Sequence, residues 1–295
     1  MNERFVELIK ESARQVPLPV PHAPELPAHW KALAASAYGQ KYRAVLFDVY
    51  GTLFSSAAGD ISVSELPGGA AAEESAAAAA LDAVAAIYGP GLSGAELRSF
   101  FSQKVKEIHS RLRQRTRWPE VQADLIWEEF LQERGFKGSG AELALRFELA
   151  VNPVYPMPGA AEAIAALHES GCLLGIISNA QFYTPLLFKA FFSGLPEEIG
   201  FDKELIIYSY MYSEAKPSPL LFGTAADRLR KRGIRAEECA FVGDDMLADI
   251  YGAQNAGFQG ILFAGDSRSL RLRETDERLK GIYPSSIIRN LYNLI

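Results

Sequence analysis

A short apolar run that ends in an aspartate limits the fold of this chain more than any other feature. Ala44–Phe47 is continuously apolar, as is typical of a strand buried on both faces, and Asp48 follows it directly. Gly51 then permits a tight backbone path around whatever binds Asp48. Because open α/β sheets bind ligands at the carboxyl ends of parallel strands, the segment predicts that Asp48 lies at a binding edge. Taken alone, an aspartate before a Gly-Thr pair is also ordinary turn chemistry.

Apolar runs alternate with helical patterns from residue 156 onward. The predicted strands cover residues 172–177, 205–208, 239–242 and 260–263, and the predicted helices cover residues 160–169, 181–192, 219–232 and 247–256. This alternation predicts an α/β fold built on a doubly wound, Rossmann-like parallel sheet. Each polar cluster of the chain then follows a strand, so we expect the clusters to meet at one edge of the sheet.

Four helical segments interrupt that pattern after the first strand. They cover residues 73–88, 94–115, 119–133 and 140–151. A stretch rich in Gly, Ser and Ala at 55–71 leads into them and suits a linker. We interpret residues 59–152 as an inserted all-helical cap domain on a core formed by residues 41–58 and 153–295.

Residues 1–40 form an arm before the core. The sequence predicts helices at 2–13 and 30–38, joined by a proline-rich stretch at 16–27. A proline-rich stretch can bind a partner, but the interleaved apolar residues favour an arm that lies on the core.

The composition excludes several classes of protein. The 295 residues allow one large or two ordinary domains, and the 48% hydrophobic content is typical of a globular protein. A net charge of −6 gives no basic surface for nucleic acid. We expect no membrane partner, because residues 1–15 lack a signal-peptide core and no stretch approaches roughly 20 apolar residues. The only cysteines, Cys172 and Cys239, lie in apolar contexts, so a disulfide framework is not expected. We therefore expect a reducing, cytoplasmic location.

Four polar clusters follow the predicted strands, and together they suit phosphoryl transfer. They are residues 48–52, Ser178 with Asn179, Lys216, and Asp244 with Asp245 and Asp249. An aspartate can attack phosphorus or carbon and form an acyl intermediate that water later releases. Attack on a phosphate brings two anions together, so the site must supply positive charge. Lys216 and a Mg²⁺ ion held between Asp48 and Asp244 can supply it.

The other members of the clusters supply supporting roles. Ser178 and the backbone amides after Gly51 can donate to phosphate oxygens, and Asp249 can orient a metal-bound water. Each cluster also has a plainer interpretation: Ser178 with Asn179 as a helix cap, Lys216 as a surface lysine, and Asp244 with Asp245 as a turn. The occurrence of all four clusters at strand ends favours the catalytic interpretation.

The same segments resemble the four motifs of the haloacid dehalogenase-like (HAD) hydrolase superfamily. They are residues 47–53 (FDVYGTL), 177–179 (ISN), 216–219 (KPSP) and 242–250 (VGDDMLADI). The resemblance covers the sheet domain and implies a HAD-like core, a mobile helical cap and a Mg²⁺ cofactor. It implies catalytic roles for Asp48, Tyr50, Thr52, Ser178 and Lys216, phosphate contacts from Gly51, Thr52, Ser178, Asn179 and Lys216, and metal contacts from Asp48, Tyr50, Asp244, Asp245 and Asp249.

Tyr50 departs from the phosphatases of this family, which carry a second aspartate there to protonate the leaving oxygen. The Tyr50 carbonyl can still bind Mg²⁺, but the hydroxyl is a weak replacement for a carboxylic acid. A tyrosine at this position resembles the 2-haloacid dehalogenases, which need no metal. Those enzymes carry Ser and Asn where this chain has Gly243, Asp244 and Asp245, and they tend to have Tyr where it has Phe222.

We therefore expect a Mg²⁺-dependent phosphatase that forms an aspartyl-phosphate on a small phosphorylated metabolite. Two adjacent carboxylates facing Asp48 would repel strongly without a cation between them. Two alternatives stay open: a dehalogenase that acts on a halogenated substrate, and a family member that binds or regulates without turnover.

The cap is expected to select the substrate. Arg115 and Arg117 lie where the second cap helix ends, and they could clamp a carboxylate or a second phosphate. The plainer interpretation is a solvated basic helix end, which the helix dipole favours. We expect a monomer or a homodimer, with a small molecule as the partner.

Overall fold

The computed structural model describes residues 2–15, 20–31, 42–56 and 71–295. Parts of three predicted segments lie outside the described residues, namely 16–19, 32–38 and 57–70. The strands are β1 (Ala44–Phe47), β2 (Phe54–Ser56), β3 (Val154–Pro156), β4 (Leu173–Ser178), β5 (Phe201–Tyr208), β6 (Cys239–Gly243), β7 (Gln259–Phe263) and β8 (Ser286–Ile288). The α-helices are α1 (Asn2–Gln15), α2 (Ala28–Lys31), α3 (Ala71–Tyr88), α4 (Gly94–Leu112), α5 (Ala123–Arg134), α6 (Gly140–Val151), α7 (Ala160–Glu169), α8 (Thr184–Phe192), α9 (Pro219–Arg230) and α10 (Gly252–Asn255).

A parallel sheet of six strands forms the centre of the molecule, in the order β5-β4-β1-β6-β7-β8. β1 pairs with β4 and β6, so that Phe47 is level with Ile176 on one side and Val242 on the other. The strand order proceeds outward from β1 in both directions, which confirms the predicted doubly wound α/β fold. The residues that follow β1, β4 and β6 therefore lie side by side at one edge of the sheet.

β1 is buried on both faces, as its apolar run predicted. Val45 and Phe47 belong to the larger apolar cluster, which extends into the inserted helices. Ala44 and Leu46 belong to a second cluster that includes the buried face of α9. All four side chains are 0% exposed, so Asp48 follows a strand that is fixed by packing on both sides.

β2 and β3 form a short antiparallel ribbon, in which Phe54 lies opposite Pro156 and Ser56 opposite Val154. The inserted helices α3 to α6 lie between these two strands in the chain. The Ser56 hydroxyl donates to Asn152 Oδ1 at 2.9 Å, which ties the ribbon to the end of α6. The ribbon leaves no signal in the sequence, because its strands are three residues long and they pair distant parts of the chain.

The inserted helices pack around Trp127. Its ring stacks on Phe101 with centroids 5.3 Å apart, and the ring of Phe147 lies 4.9 Å away. Trp127 is 0% exposed, so its ring fills the centre of the inserted helices. The exact division of the chain into arm, core and cap stays a prediction.

Helix α1 contacts both parts of the molecule. Its buried face carries Phe5, Val6 and Ile9. Arg4 forms an ion pair at 2.7 Å with Glu142 of α6, and Glu3 forms one at 2.5 Å with Lys189 of α8. The helix therefore lies across the boundary between the inserted helices and the sheet, and it ends at Gln15 rather than at residue 13.

Some bounds differ from the prediction at the far end of the sheet. β5 begins at Phe201, β8 was not predicted, and the helix predicted at 247–256 begins as a π-helical segment, Met246–Tyr251. Irregular turns of this kind leave no periodic signal in a sequence. Across the four described ranges, no helix combines the length and the apolar character that a membrane crossing needs.

Candidate active site

Asp48 begins the site at the carboxyl end of β1. Its backbone N–H donates to Val242 O at 2.9 Å, and the residue is 4% exposed. The loop that follows turns at Gly51, where φ is +83°. A Cβ atom there would lie 2.2 Å from Asp244 Oδ2 and 2.8 Å from Ser269 Cβ, so only glycine lets the loop approach the carboxylate this closely.

Lys216 is not a surface lysine. Its Nζ lies 2.6 Å from Asp48 Oδ1 and 2.6 Å from Asp249 Oδ1, and its side chain is 2% exposed. Burial alone would lower the pKa of Lys216, but the negative charges of Asp249 and Asp48 outweigh burial and raise the pKa. The lysine is therefore charged and holds two carboxylates in place.

Asp244 is the most unusual group of the site. It is 1% exposed, and within the described residues neither of its carboxylate oxygens has a hydrogen-bond partner. Burial raises the pKa of Asp244 well above its usual range, the charges of Asp249, Asp48 and Asp245 add to the shift, and the nearby Ser269 hydroxyl opposes it only weakly. An unpaired buried carboxylate is costly unless a cation or a proton neutralises it.

Three carboxylates converge at this point. One oxygen from each of Asp48, Asp244 and Asp249 lies within 4.8 Å of the others, and among the residues that the structure describes no other group of this kind occurs. Lys216 neutralises one of the three charges. A compact set of carboxylate oxygens with an excess of negative charge suits a hard divalent cation such as Mg²⁺.

Asp249 differs from Asp244 because both of its carboxylate oxygens accept hydrogen bonds, one of them from Lys216. The second oxygen of Asp249 accepts from the backbone N–H of Asp245 at 2.9 Å. Burial raises the pKa of Asp249 to about 7, with Lys216 opposing the shift and Asp48 and Asp245 adding to it.

Asp245, which the resemblance implied as a metal contact, points elsewhere. Both of its oxygens accept from Arg273, at 2.5–2.9 Å, and Oδ1 also accepts from the backbone N–H groups of Leu247 and Ala248. These donors hold the carboxylate at the start of the π-helical segment, outside the cluster of three. The sequence around Asp245 does not reveal this ion pair, because Arg273 is 28 residues away in the chain.

Ser178 ends β4, and Asn179 follows it at the same edge of the sheet as Asp48. Ser178 is 0% exposed and its hydroxyl donates to its neighbour's carbonyl, while Asn179 Oδ1 accepts from the backbone N–H of Lys216 at 2.7 Å. Asn179 therefore fixes the loop that carries the lysine. Thr52, on the turn after Asp48, is fully buried, and its hydroxyl has no hydrogen-bond partner within the described part of the chain.

The Tyr50 side chain is 1% exposed, and its hydroxyl makes a 2.9 Å hydrogen bond with Thr184 Oγ1 at the start of α8. The hydroxyl is thus held against α8.

Arg115 and Arg117 lie on the surface. Both are exposed, and Arg117 lies over the ring of Trp118 at 5.8 Å. Arg278 lies over the same ring at 5.5 Å. Neither of the predicted clamp residues lines the cavity described next.

A cavity lies between the inserted helices and the end of β4, and we call it the cap-side cavity. It holds about 540 Å³ of empty space, including its open mouth. Its walls are Phe101, His109, Pro119, Glu120, Val121, Ala123, Trp127, Ala144, Phe147, Glu148, Asn179, Gln181, Tyr183 and Ala215. Asn179 and Ala215 adjoin Ser178 and Lys216 in the chain, so the cavity borders the cluster. The sequence alone does not mark Glu120, Glu148 or Gln181 as site residues, since isolated polar residues carry no motif.

Gln181 fastens the inserted helices to the sheet at this cavity. Its Oε1 accepts from the Ala123 N–H at 2.9 Å, and its Nε2 donates to Val121 O at 2.9 Å. The Ser209 hydroxyl donates to Glu120 Oε2 at 2.7 Å from the same side. All of these atoms are buried, so the contact is specific and closed to solvent.

A family model described as "Hydrolase: haloacid dehalogenase-like hydrolase" matches residues 42–257. The matched range includes the inserted helices and all four segments that resemble the family's motifs.

Curated relatives match a shorter stretch of 107 residues. Over it the chain is 35% identical to glyceraldehyde 3-phosphate phosphatase of Pyrococcus abyssi (strain GE5 / Orsay) and 33% identical to ribulose-1,5-bisphosphate 5-phosphatase of Halopiger xanaduensis (strain DSM 18323 / JCM 14033 / SH-6). The stretch is 36% of this chain and spans only 42% and 41% of the two relatives. Among solved structures, a HAD phosphatase from Thermococcus onnurineus is 25% identical with a TM-score of 0.51, covering 85% of this chain and 95% of that one.

Proposed function

Because this chain belongs to the haloacid dehalogenase-like hydrolases, we propose that it is a Mg²⁺-dependent phosphatase acting on a small phosphorylated metabolite. The observation that carries the proposal is Asp244, a buried carboxylate without a hydrogen-bond partner among the described residues. Together with Asp48 and Asp249 it leaves a negative charge that Lys216 balances only in part. The relatives named as phosphatases support the same reaction.

The residues of this chain fit the roles that phosphoryl transfer requires. Lys216 holds one oxygen of Asp48, which orients the carboxylate for attack on phosphorus. Asp48 forms a bond to phosphorus as the bond to the leaving oxygen breaks, and water later hydrolyses the resulting acyl phosphate. The buried Thr52 hydroxyl, the Ser178 hydroxyl and the N–H groups after Gly51 are suited to donate to the phosphate oxygens.

Asp48, Asp244 and the Tyr50 carbonyl are the groups that would hold Mg²⁺. A bound Mg²⁺ would lower the repulsion between the Asp48 carboxylate and the phosphate and would stabilise charge on the phosphoryl oxygens. Asp249 accepts a hydrogen bond from Lys216 and would orient a metal-bound water rather than bind the metal directly. Asp245 is committed to Arg273, so we exclude it from the proposed ligand set.

Tyr50 limits the choice of leaving group. Its hydroxyl is engaged with Thr184 and lacks the acidity of the carboxyl group that other phosphatases of the family carry. We infer that this enzyme favours phosphate esters whose leaving groups need little protonation. The dehalogenase alternative explains Tyr50 but leaves the charge of Asp244 without a counterion.

The proposal is tested by measuring phosphate release from a panel of esters, and halide release from 2-chloropropionate, with Mg²⁺ and with EDTA. We expect phosphate release that EDTA abolishes and excess Mg²⁺ restores. Halide release that is insensitive to EDTA, without any phosphate release, would overturn the proposal in favour of the dehalogenase. The cytoplasmic location and the monomeric or dimeric state remain part of the proposal.

A further inference from the structure

The inserted helices contact the loop of Lys216 through their backbone. We call residues 213–216 the lysine loop, and we call residues 118–120, between α4 and α5, the bridge segment. Pro119 of the bridge segment pairs with Glu214 of the lysine loop as an antiparallel bridge. The lysine that contacts two carboxylates of the cluster therefore belongs to a loop that lies against the inserted helices.

Two backbone hydrogen bonds hold this pair of segments together. The Ala215 N–H donates to Trp118 O at 2.7 Å, and the Glu120 N–H donates to Ser213 O at 3.1 Å. Ala215 directly precedes Lys216 in the chain, so the first bond lies one residue from the lysine. A displacement of the bridge segment would therefore move the backbone that sets the position of the lysine side chain.

The lysine loop has a conformation that needs support from its surroundings. Ser213 has φ of +54°, in the left-handed region that costs free energy for residues other than glycine. Such a residue persists only where the surrounding structure holds it. From the other side, Asn179 Oδ1 accepts from the Lys216 N–H at 2.7 Å. The loop is thus held between the end of β4 and the bridge segment.

The Trp118 side chain joins the bridge segment to a distant part of the chain. The guanidinium of Arg278, between β7 and β8, lies over its ring at 5.5 Å, and Asp276 holds the guanidinium at 2.5 Å. A guanidinium over an indole ring is attracted by the negative face of the ring. Arg117 also lies over the ring, at 5.8 Å, but it adjoins Trp118 in the chain and so cannot join distant segments.

From these contacts we propose that Trp118 and Arg278 are positioning residues for Lys216. The inference rests on the proposed phosphatase function, in which Lys216 orients Asp48, and it adds two residues outside the cluster. Lys216 Nζ lies 2.6 Å from Asp48 Oδ1, and a shift of about 1 Å in such a contact can reduce a rate by about a hundredfold. Neither Trp118 nor Arg278 lines the cap-side cavity, so both act through the lysine loop rather than on the substrate.

Steady-state kinetics of three variants test the inference, with saturating Mg²⁺ and a small aryl phosphate as the substrate. Arg278→Gln removes the cation from the ring, and we expect kcat to fall by about two- to fivefold. Trp118→Leu removes the ring, and we expect a fall of about tenfold, whereas Trp118→Phe keeps an aromatic face and should recover most of the loss. KM should change by less than about twofold, because the orientation of Asp48 acts on the transition state.

Arg134→Gln is the matched control for Arg278→Gln. The Arg134 guanidinium lies over the ring of Phe130 at 5.6 Å, and both residues belong to α5. The Arg134 side chain is 47% exposed and the Arg278 side chain 41%, and each forms an ion pair with a carboxylate. The control therefore breaks a similar contact within one helix, and it should leave kcat unchanged.

Amide hydrogen exchange gives a readout that does not depend on turnover. Peptides that cover the lysine loop should exchange faster in Arg278→Gln and in Trp118→Leu than in the wild-type protein, because the Ala215 N–H donates to Trp118 O. Peptides that cover β1 should exchange at the wild-type rate, which shows that the sheet is intact. If Trp118→Leu does not fold, Arg278→Gln tests the inference alone.

Unchanged kcat in Arg278→Gln and Trp118→Leu would overturn the inference and leave the phosphatase in place, whether or not the lysine loop exchanges faster. Equal losses of kcat in Arg278→Gln and Arg134→Gln would overturn it as well. Faster exchange of the lysine loop in a protein whose wild-type form releases no phosphate would keep the coupling to Lys216 and reject the proposed function.

Discussion

The three-carboxylate cluster and the cap-side cavity both bury acidic side chains, but they treat them in opposite ways. Within the described residues, Asp244 in the cluster has no hydrogen-bond partner, whereas Glu120 and Glu148 in the cavity accept bonds from nearby donors. A buried carboxylate with donors around it is stable as it stands. A buried carboxylate without donors requires a cation or a proton. The contrast separates a site suited to a cation from a cavity wall whose carboxylates already have donors.

The largest expected effect comes from removing the charge of the nucleophile. Asp48→Asn keeps the shape of the side chain, yet an amide cannot form the acyl phosphate, so we expect phosphate release to fall by roughly a thousandfold or more. Asp227→Asn, an exposed position on α9, is the matched control and should retain activity. Full turnover by Asp48→Asn would remove the cluster from catalysis.

The second-largest expected effect is on the stabilisation of the protein by Mg²⁺, measured for variants of the neighbouring residues Asp244 and Asp245. Saturating Mg²⁺, about 100 times its Kd, should stabilise the native protein by about 2.7 kcal/mol, read as an increase in Tm. Asp244→Asn should abolish most of this increase, because it removes a proposed ligand. Asp245→Asn should keep the increase but lower the Tm at every Mg²⁺ concentration, by a loss of about 1 kcal/mol typical of helix-cap residues. Loss of the metal response in Asp245→Asn alone would reverse the assignment of the two residues.

A smaller effect on stability and activity is expected at Gly51, where the backbone passes next to Asp244. Gly51→Ala combines the strain of a positive φ with a Cβ 2.2 Å from Asp244 Oδ2. Gly233→Ala has φ of +69° but no atom within 4 Å of the new Cβ, so it measures the strain alone. We expect Gly233→Ala to cost about 1 kcal/mol of unfolding free energy and Gly51→Ala to cost more and to reduce activity. Equal losses in urea unfolding would mean that the loop can move away from Asp244.

The smallest expected effect on activity, as distinct from stability, concerns the contact between Gln181 and the inserted helices. Gln181→Leu removes both bonds to the inserted helices and leaves the Val121 carbonyl and the Ala123 N–H without partners, at about 1–3 kcal/mol. Gln132→Leu, at an exposed position on α5, is the control for the change of residue type. We expect urea unfolding to detect the loss for Gln181→Leu only. Phosphate release from a small aryl ester should change little.

The features predicted from sequence are those that adjacent residues specify. The run before Asp48, the strand ends at Ser178 and Gly243, and the glycine after Tyr50 all lie within short segments, and the structure brings them to one edge of the sheet. The roles of the site residues remain predictions, since the comparisons identify the family and not the residues.

The features that sequence reasoning missed depend on contacts between distant segments. Three such features are the β2–β3 ribbon, the Asp245–Arg273 ion pair and the cavity that Glu120 and Glu148 line. Each brings together residues that are far apart in the chain. Asp244 and Asp245 look alike in sequence, and the donors that hold Asp245 in the folded chain distinguish them, namely Arg273 and the N–H groups of Leu247 and Ala248. Burial of Glu148 is equally invisible, because an acidic residue on a helix is ordinarily exposed.

Helix α1 joins the inserted helices to α8 partly through contacts that respond to salt. It holds both bodies through Arg4–Glu142 and Glu3–Lys189, and the Arg4 and Glu3 side chains are 67% and 79% exposed. Ion pairs this exposed weaken as dissolved salt screens their charges. A higher salt concentration should therefore weaken these two ion pairs, while the burial of Phe5, Val6 and Ile9 keeps the helix in place.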